Sequence, residues 1–304
     1  MASPRPIDAM IVGAQKAGTS SLAYYLAQHP DICTHERLEL SYFVNDEDHA
    51  LGYPSNFERY FAQCPLDSRI LGKSVTVMTD AEPVRRMREH NPDMRVIVIL
   101  RNPVDRAYSA YWWARRKGYE SLETFEEAIA ADPQRHQGNI VRIRSTSYIP
   151  FGLYADQIAM LRAAFGEEQV QVHLFEDMQS DAVATCRRIF EHIGVDPTFA
   201  PDVSGRRNTM SLARSSTVAR LLSSQFGLKR RLRRALPRGM AERLKRRAER
   251  WNRVTFDQPA MRPETREMLV RRFADENLRL GALIGRDLTH WNRLPAATAA
   301  AVEG

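Results

Sequence analysis

The feature that most constrains the fold of this 304-residue chain is a run of five aliphatic residues, Val96 to Leu100. A strand that is aliphatic on both faces is typical of the middle of a parallel sheet with helices on each side. The run is also the longest of its kind here, and it is far shorter than the roughly 20 apolar residues that span a bilayer. We therefore expect a central buried strand and no transmembrane helix.

Short apolar strands and helical spacing alternate along the rest of the chain. Further strands are predicted over 7–12, at 70–71 and over 170–175, and helical spacing follows them. A helix also begins after the central strand, because Asn102 suits an N-cap and Pro103 suits the first helical position. The alternation predicts an α/β fold, a doubly wound parallel sheet with a helical C-terminal extension.

The charge of the chain is concentrated in one segment. Lys229 to Arg253 holds 12 Lys/Arg against 2 Glu, a local charge of +10, while the whole chain carries +7. The remainder is mildly acidic, so a basic isoelectric point is poor support for nucleic-acid binding. We predict an α/β core over 7–215, a basic helical insertion or lid over 216–260, and a terminal helix over 261–295 that packs on the core.

The cysteines and the N-terminus bear on the compartment. Cys33, Cys64 and Cys186 are odd in number, far apart and without CxxC spacing, so they indicate neither a disulfide framework nor a zinc site. The first residues lead into a strand and lack the pattern of a secretory signal. The expected location is the cytoplasm.

A glycine-containing loop over 13–21 joins the first strand to the first helix. Its backbone N–H groups, the helix N-terminus, Lys16 and the hydroxyls of residues 19–21 suit an anionic ester. The spacing is close to a Walker A loop, but Thr19 stands where a nucleotide triphosphatase has lysine. The loop is therefore predicted to bind phosphate other than the β,γ-phosphates of ATP with magnesium.

Two segments resemble sulfotransferases that use 3′-phosphoadenosine-5′-phosphosulfate (PAPS). The residues Gln-Lys-Ala-Gly-Thr-Ser-Ser over 15–21 are similar to that family's 5′-phosphosulfate loop. The central strand followed by Arg101, with Ser109 eight residues later, is similar to its 3′-phosphate motif. Weaker similarity to bacterial and heparan-type members extends over roughly 7–292. The resemblance implies a P-loop, nucleoside-kinase-like fold with the cofactor at the carboxyl ends of the strands.

The resemblance also implies roles for individual residues. Arg101 and Ser109 would hold the 3′-phosphate, and Lys16 would help the departing 5′-phosphate oxygen. The residues that would hold the 5′-phosphosulfate are Lys16, Ala17, Gly18, Thr19, Ser20 and Ser21. PAPS would be the co-substrate and 3′-phosphoadenosine-5′-phosphate (PAP) the product, without a metal.

Glu39 occupies the place of the general base of heparan-type members, some 20 residues after the loop. The family commonly has lysine before this glutamate and histidine two residues after it, where this chain has Leu38 and Ser41. His35 and Glu36 are therefore competing candidates for the base. Lys73 follows a short strand and by resemblance would steady the charge of the transferred group.

Other functions stay open at this point. A metal-dependent kinase on the same fold and a polyanion- or membrane-binding module using 229–253 are alternatives to a sulfotransferase. The lid interpretation of that segment is favoured over membrane contact, and no specific nucleic acid is expected. The acceptor would be a small molecule or a carbohydrate. The sequence does not distinguish a hydroxyl from an amine as the group that receives the sulfuryl, and it does not indicate an oligomeric state.

Overall fold

The computed structural model describes residues 4–35, 39–132, 145–204, 211–213, 253–255 and 258–294. The chain divides into two compact units. The first comprises 1–106, 151–207 and 263–304, and the second comprises 107–150 and 208–262. The predicted limits at 215, 260 and 295 stay predictions, because much of 216–260 lies outside the described residues.

A parallel sheet forms the middle of the first unit. Its strands are β1 (Ala9–Gly13), β2 (Ile32–Thr34), β3 (Arg69–Lys73), β4 (Arg95–Leu100) and β5 (Val170–Leu174). Their order is β2-β3-β1-β4-β5, and every pairing is parallel. β4, the strand predicted from the aliphatic run, pairs on both edges and is buried from Val96 to Leu100.

Helices connect the strands, and helices of the first unit pack on the sheet. The helices are α1 (Thr19–Leu26), α2 (Asp46–Ala50), α3 (Gly52–Phe61), α4 (Ala81–His90), α5 (Pro103–Lys117), α6 (Phe125–Ala130), α7 (Tyr154–Phe165), α8 (Phe175–Ser180), α9 (Ala182–Ile193) and α10 (Pro263–Ile284). α1 packs with α9, while α4 and α10 pack with α7. These two groups make the fold doubly wound, as predicted. No helix in the described part of the chain is long and apolar enough to cross a bilayer.

The expected helix boundaries have identifiable chemical causes. Asn102 Oδ1 accepts the Val104 N–H at 3.0 Å, so the predicted cap begins α5 at Pro103. α9 begins after Asp181, whose carboxylate accepts the Ala184 N–H at 2.8 Å. It ends at Gly194, which takes the left-handed conformation (φ 80°) and closes the helix.

The second unit contains most of α5 and all of α6. β6 (Ser211–Ala213) and β7 (Arg253–Thr255) form an antiparallel pair in this unit. Residues 214–252 lie between these two strands in the sequence. Most of the basic insertion or lid predicted over 216–260, including 229–252 of its basic segment, lies outside the described residues. Its role stays a prediction.

The cysteine pattern did not indicate a disulfide, and this expectation is corrected by the structure. Cys33 and Cys64 form one, with their Cα atoms 5.5 Å apart across a sequence separation of 31. Cys33 lies in β2 and Cys64 lies just after α3, which packs against β2. Spacing along the chain could not show this contact, because the packing of α3 creates it. Cys186 is free and buried.

Candidate functional site

The loop after β1 turns sharply before α1 begins. Lys16 has a φ of 71° and Gly18 a φ of 88°. The left-handed region is unusual for lysine, and such backbone often marks a ligand-binding turn. A Cβ on Gly18 would lie 2.6 Å from Met178 Cε and 2.9 Å from the Phe175 ring. Glycine at 18 therefore lets the loop lie directly against α8.

The first turn of α1 follows this loop without a side-chain cap. Gly18 occupies the N-cap position and can supply no side-chain oxygen to the helix N–H groups. Thr19 is buried, Ser20 is exposed and Ser21 is half-buried. An uncapped helix N-terminus beside a lysine and hydroxyls is the donor set that binds phosphate or sulfate esters.

Arg101 joins the two predicted motifs. Its Nη1 donates a hydrogen bond to the Lys16 carbonyl oxygen at 3.2 Å. The guanidinium carbon lies 5.1 Å from the centre of the Phe175 ring, a cation–π contact. Tyr154 also donates from its hydroxyl to the Arg101 carbonyl at 3.0 Å. The Arg101 side chain, just after β4, is thus held against the loop that follows β1.

Glu39 forms an ion pair with Lys73, the last residue of β3. Lys73 Nζ lies 2.6 Å from Glu39 Oε1, and the Val75 N–H donates to Glu39 Oε2 at 2.9 Å. The Lys73 side chain is 6% exposed and the Glu39 side chain 43%. The carboxylate is therefore held in one orientation while one side of it remains open to solvent.

His35, a competing base candidate, is buried next to the same strand end. Its Nε2 accepts the Lys73 N–H at 3.3 Å, and its ring meets Tyr60 and Phe61 edge to face. The imidazole of His35 is thus packed between aromatic rings and hydrogen-bonded to the end of β3, which it helps to position. Glu36, the other candidate, lies outside the described residues.

Ser41 occupies the position at which the resemblance to heparan-type sulfotransferases implies histidine. Its hydroxyl donates to Asp48 and contacts the Tyr60 hydroxyl at 2.7 Å. Arg59 donates to the other Asp48 oxygen at 2.8 Å. These hydrogen bonds connect the segment that carries Glu39 to α2 and α3. The sequence showed only that serine replaces histidine at position 41 and did not predict these contacts.

Within the first unit, these residues lie at the carboxyl edge of the sheet: Lys16 follows β1, Arg101 follows β4, and Lys73 ends β3 with Glu39 paired to it. Ser109 is buried on α5 and belongs to the second unit. Sequence reasoning missed the contacts of Phe175, Met178 and Tyr154 with this site. The segment over 174–177 was similar to family members, but nothing in it indicated that Phe175 would lie under Arg101.

Comparison with known proteins defines the class of this α/β protein. The family model described as the sulfotransferase domain matches residues 6–216, more than half of the chain. The chain therefore belongs to the sulfotransferase family, as its two motifs predicted. The crystal structure of a sulfotransferase from Alicyclobacillus acidocaldarius superposes with a TM-score of 0.67 and 30% identity, covering 95% of this chain and 99% of that one.

Curated relatives are more distant. Mouse bifunctional heparan sulfate N-deacetylase/N-sulfotransferase 1 is 26% identical over 202 residues, which are 62% of this chain and 22% of that protein. The membrane-associated sulfotransferase kil1 of Dictyostelium discoideum is 28% identical over 127 residues, 40% of this chain and 26% of that protein. The matched region thus spans about a quarter or less of the length of these relatives.

Proposed function

We propose that this chain transfers the sulfuryl group of PAPS to a hydroxyl or amine of an acceptor. The proposal depends on one observation: the phosphate-type loop follows β1, Arg101 follows β4, and Lys73, paired with Glu39, ends β3, and these three strands are adjacent in one sheet. Open α/β sheets bind ligands at this edge. Membership of the sulfotransferase family supports sulfuryl transfer as the reaction class.

The residues at this edge fit the donor. The uncapped start of α1, the close backbone approach that Gly18 allows, and Lys16 suit the 5′-phosphosulfate. Arg101 offers a planar guanidinium for the 3′-phosphate, and we assign Ser109 to the same phosphate by its place in the motif. PAPS supplies the sulfuryl group and is released as PAP. The transferred group carries a single charge, which lysine and backbone donors can balance, so no metal is proposed.

Glu39 is the proposed general base. Each carboxylate oxygen has two lone pairs, so the bonds to Lys73 and Val75 leave each oxygen a further acceptor position. The exposed side of Glu39 can accept the proton of an incoming hydroxyl or amine. Lys73 orients the carboxylate and steadies negative charge beside it, and Lys16 stabilises the departing 5′-phosphate oxygen.

The acceptor is proposed to be a small molecule or a carbohydrate. Heparan sulfate appears in the names of relatives that match over only part of their length, so it identifies carbohydrate as one class to test. A cytoplasmic location and the absence of a specific nucleic-acid partner remain parts of this proposal.

Nucleotide binding tests the donor assignment. PAP should bind at least about tenfold more tightly than AMP, because hydrogen bonds to charged groups contribute about 1.5–3 kcal/mol each. Arg101→Ala should remove most of that preference, whereas Arg85→Ala, which changes an exposed arginine on α4, should keep it. Calorimetry with PAP, AMP and ATP measures these affinities.

Equal affinity of the wild-type chain for PAP and AMP would contradict the donor assignment. Sulfuryl transfer should also persist in EDTA. A strict magnesium requirement together with tighter binding of ATP would support a kinase instead.

A further inference from the structure

Arg101, which we assign to the 3′-phosphate, depends on groups from separate elements for its position. Its guanidinium lies over the Phe175 ring of α8, and its carbonyl oxygen accepts the Tyr154 hydroxyl of α7. Asn102, the next residue, caps α5 through its Oδ1 atom. Because a guanidinium binds phosphate through directed, bidentate hydrogen bonds, whatever fixes these three supports also fixes the phosphate site.

Trp291, in the short 3₁₀ helix that follows α10, contacts these supports. It is buried, with 1% of the residue exposed. Its Nε1–H donates to Glu176 Oε1 at 2.9 Å, and its carbonyl oxygen accepts a hydrogen bond from Asn102 Nδ2 at 3.3 Å. The indole also meets the Tyr154 ring edge to face, with the ring centres 6.5 Å apart. One residue thus contacts two supports of Arg101 and the chain neighbour of the third.

α8 depends on such contacts because it is short. It has six residues, and isolated helices shorter than about 12–15 residues are marginal in water. Its first turn consists of Phe175, Glu176 and Asp177. Arg286 donates to both Asp177 oxygens at 3.0 Å, so Arg286 and Trp291 engage two consecutive carboxylates of this turn. The chain after α10 therefore holds the turn that carries Phe175.

The Glu176 carboxylate makes the Trp291 hydrogen bond more than a packing contact. Glu176 Oε2 is enclosed by protein and has no hydrogen-bond partner among the described residues. A carboxylate oxygen inside a protein that loses its hydrogen bond bears the cost of its desolvation. Without the indole N–H, the carboxylate should turn toward another donor and displace the start of α8, with Phe175, from beneath Arg101.

We propose that Trp291 is a positioning residue for the sulfuryl donor. By holding Glu176 and Asn102, which follow Phe175 and Arg101 in the chain, it keeps the guanidinium aligned for the 3′-phosphate. Trp291 acts through Arg101 rather than on the transferred group. The inference rests on the proposed function, because it requires Arg101 to bind that phosphate.

Calorimetry with PAP and AMP on the full chain tests this role. Trp291→Phe keeps a ring beside Tyr154 and the backbone carbonyl for Asn102, but it removes the N–H that Glu176 accepts. The dissociation constant for PAP should rise about tenfold, which corresponds to about 1.4 kcal/mol. The constant for AMP should stay the same, because AMP has no 3′-phosphate. A smaller folded fraction would weaken both ligands equally, so a merely structural role would leave the ratio of the two constants unchanged.

Two substitutions of the partner and one control complete the series. Glu176→Gln keeps an oxygen that accepts the indole N–H and should retain the preference for PAP, whereas Glu176→Ala should lose it as Trp291→Phe does. Trp113→Phe changes a tryptophan of the second unit that packs on Tyr119, and it should retain the wild-type preference.

The outcomes separate this role from the donor assignment. A wild-type preference for PAP that persists in Trp291→Phe and Glu176→Ala would overturn the role of Trp291 alone. An equal loss in Trp113→Phe, or in Glu176→Gln, would also overturn it, because neither change removes the hydrogen bond. Equal wild-type affinities for PAP and AMP would overturn both the donor assignment and this role. The tryptophan and glutamate variants test the same bond, so either decides the question if the other does not fold.

Discussion

Glu39 and Lys73 show how two residues far apart in the sequence become one chemical unit. The ammonium of Lys73 is almost entirely buried, and its position 2.6 Å from Glu39 Oε1 gives that charge an opposite partner. The pair also depends on the end of β3, because the Leu40 N–H donates to the Lys73 carbonyl at 2.7 Å. The segment carrying Glu39 is thus connected to β3 through both backbone and side chains.

Replacing Glu39 by glutamine tests its role as the base. Glu39→Gln keeps the shape of the side chain but removes the proton acceptor, so kcat should fall by about 10²–10⁴-fold. The dissociation constant for PAP should change little, because Glu39 is assigned to the acceptor and not to the donor. Initial-rate kinetics and calorimetry on the same preparation measure the two quantities.

Glu36→Gln is the control for that substitution, since it removes a carboxylate three residues away. It should retain wild-type kcat. Loss of activity in Glu36→Gln with full activity in Glu39→Gln would assign the base to Glu36. Full activity in both would leave His35 as the next candidate.

Gly18 offers a second test at the level of one residue. Gly18→Ala places a Cβ within 2.6 Å of Met178 and 2.9 Å of Phe175, at a φ of 88°. Gly194 is also left-handed, with a φ of 80° and a ψ of 43°, but nothing lies within 4 Å of its added Cβ. Both alanines bear a backbone cost of about 1–2 kcal/mol, and only Gly18→Ala adds a clash.

The expected result is therefore a difference between the two glycine variants. Gly18→Ala should lower the free energy of unfolding by more than Gly194→Ala does and should also weaken PAP binding. Urea unfolding and calorimetry measure both effects. Equal stability and equal affinity for PAP in the two variants would contradict the close contact between Gly18 and the side chains of α8.

At the level of elements, the Cys33–Cys64 disulfide links β2 to the end of α3. It encloses the segment that carries Glu39, together with α2 and α3. A closed loop of this size stabilises a protein by about 3–4 kcal/mol, chiefly by restricting the unfolded chain. Cys33→Ala should therefore lower the free energy of unfolding by about that amount in non-reducing buffer.

Thiol counting checks the same bond directly. In denaturant the purified chain should expose one thiol, that of Cys186, before reduction and three afterwards. Three thiols before reduction would show that the bond is absent. Disulfides seldom persist in a reducing cytoplasm, so alkylation inside the producing cell also tests the proposed location.

The stability of the whole molecule should depend on pH through buried histidines. Burial lowers the pKa of His90 to about 4 from an ordinary 6.5. Its Nε2 accepts the Ile7 N–H at 3.0 Å, a bond that requires a neutral ring nitrogen. Burial likewise lowers the pKa of His173 to about 4. Between pH 6.5 and 4 the unfolded chain binds protons that the folded chain does not.

The free energy of unfolding should consequently decrease as the pH falls through that range. Urea unfolding at pH 7.5 and pH 5 should differ by about 2 kcal/mol from His90 alone, because each pKa unit corresponds to about 1.4 kcal/mol. His90→Gln keeps an acceptor for Ile7 but cannot be protonated, so it should reduce this pH dependence. An unchanged dependence in the variant would exclude His90 as its source.

The sequence by itself determined the elements whose causes are local. The aliphatic run predicted β4 because only a doubly covered strand accommodates it, and Asn102-Pro103 predicted the start of α5 because capping acts within a few residues. The glycine-containing loop over 13–21 and Arg101 likewise indicate the family from the residues alone. Short strands such as β2 and short helices such as α2 were not predicted, since a few residues carry too little periodicity.

Only the tertiary structure decided which of these residues meet. The order β2-β3-β1-β4-β5 places Lys73 and Arg101 on either side of the loop from β1, although 27 residues, 74–100, separate them along the chain. The Glu39–Lys73 ion pair, Phe175 beneath Arg101 and the Cys33–Cys64 bond depend on strand order and helix packing. These contacts join residues distant along the chain, so no local pattern of side chains could specify them.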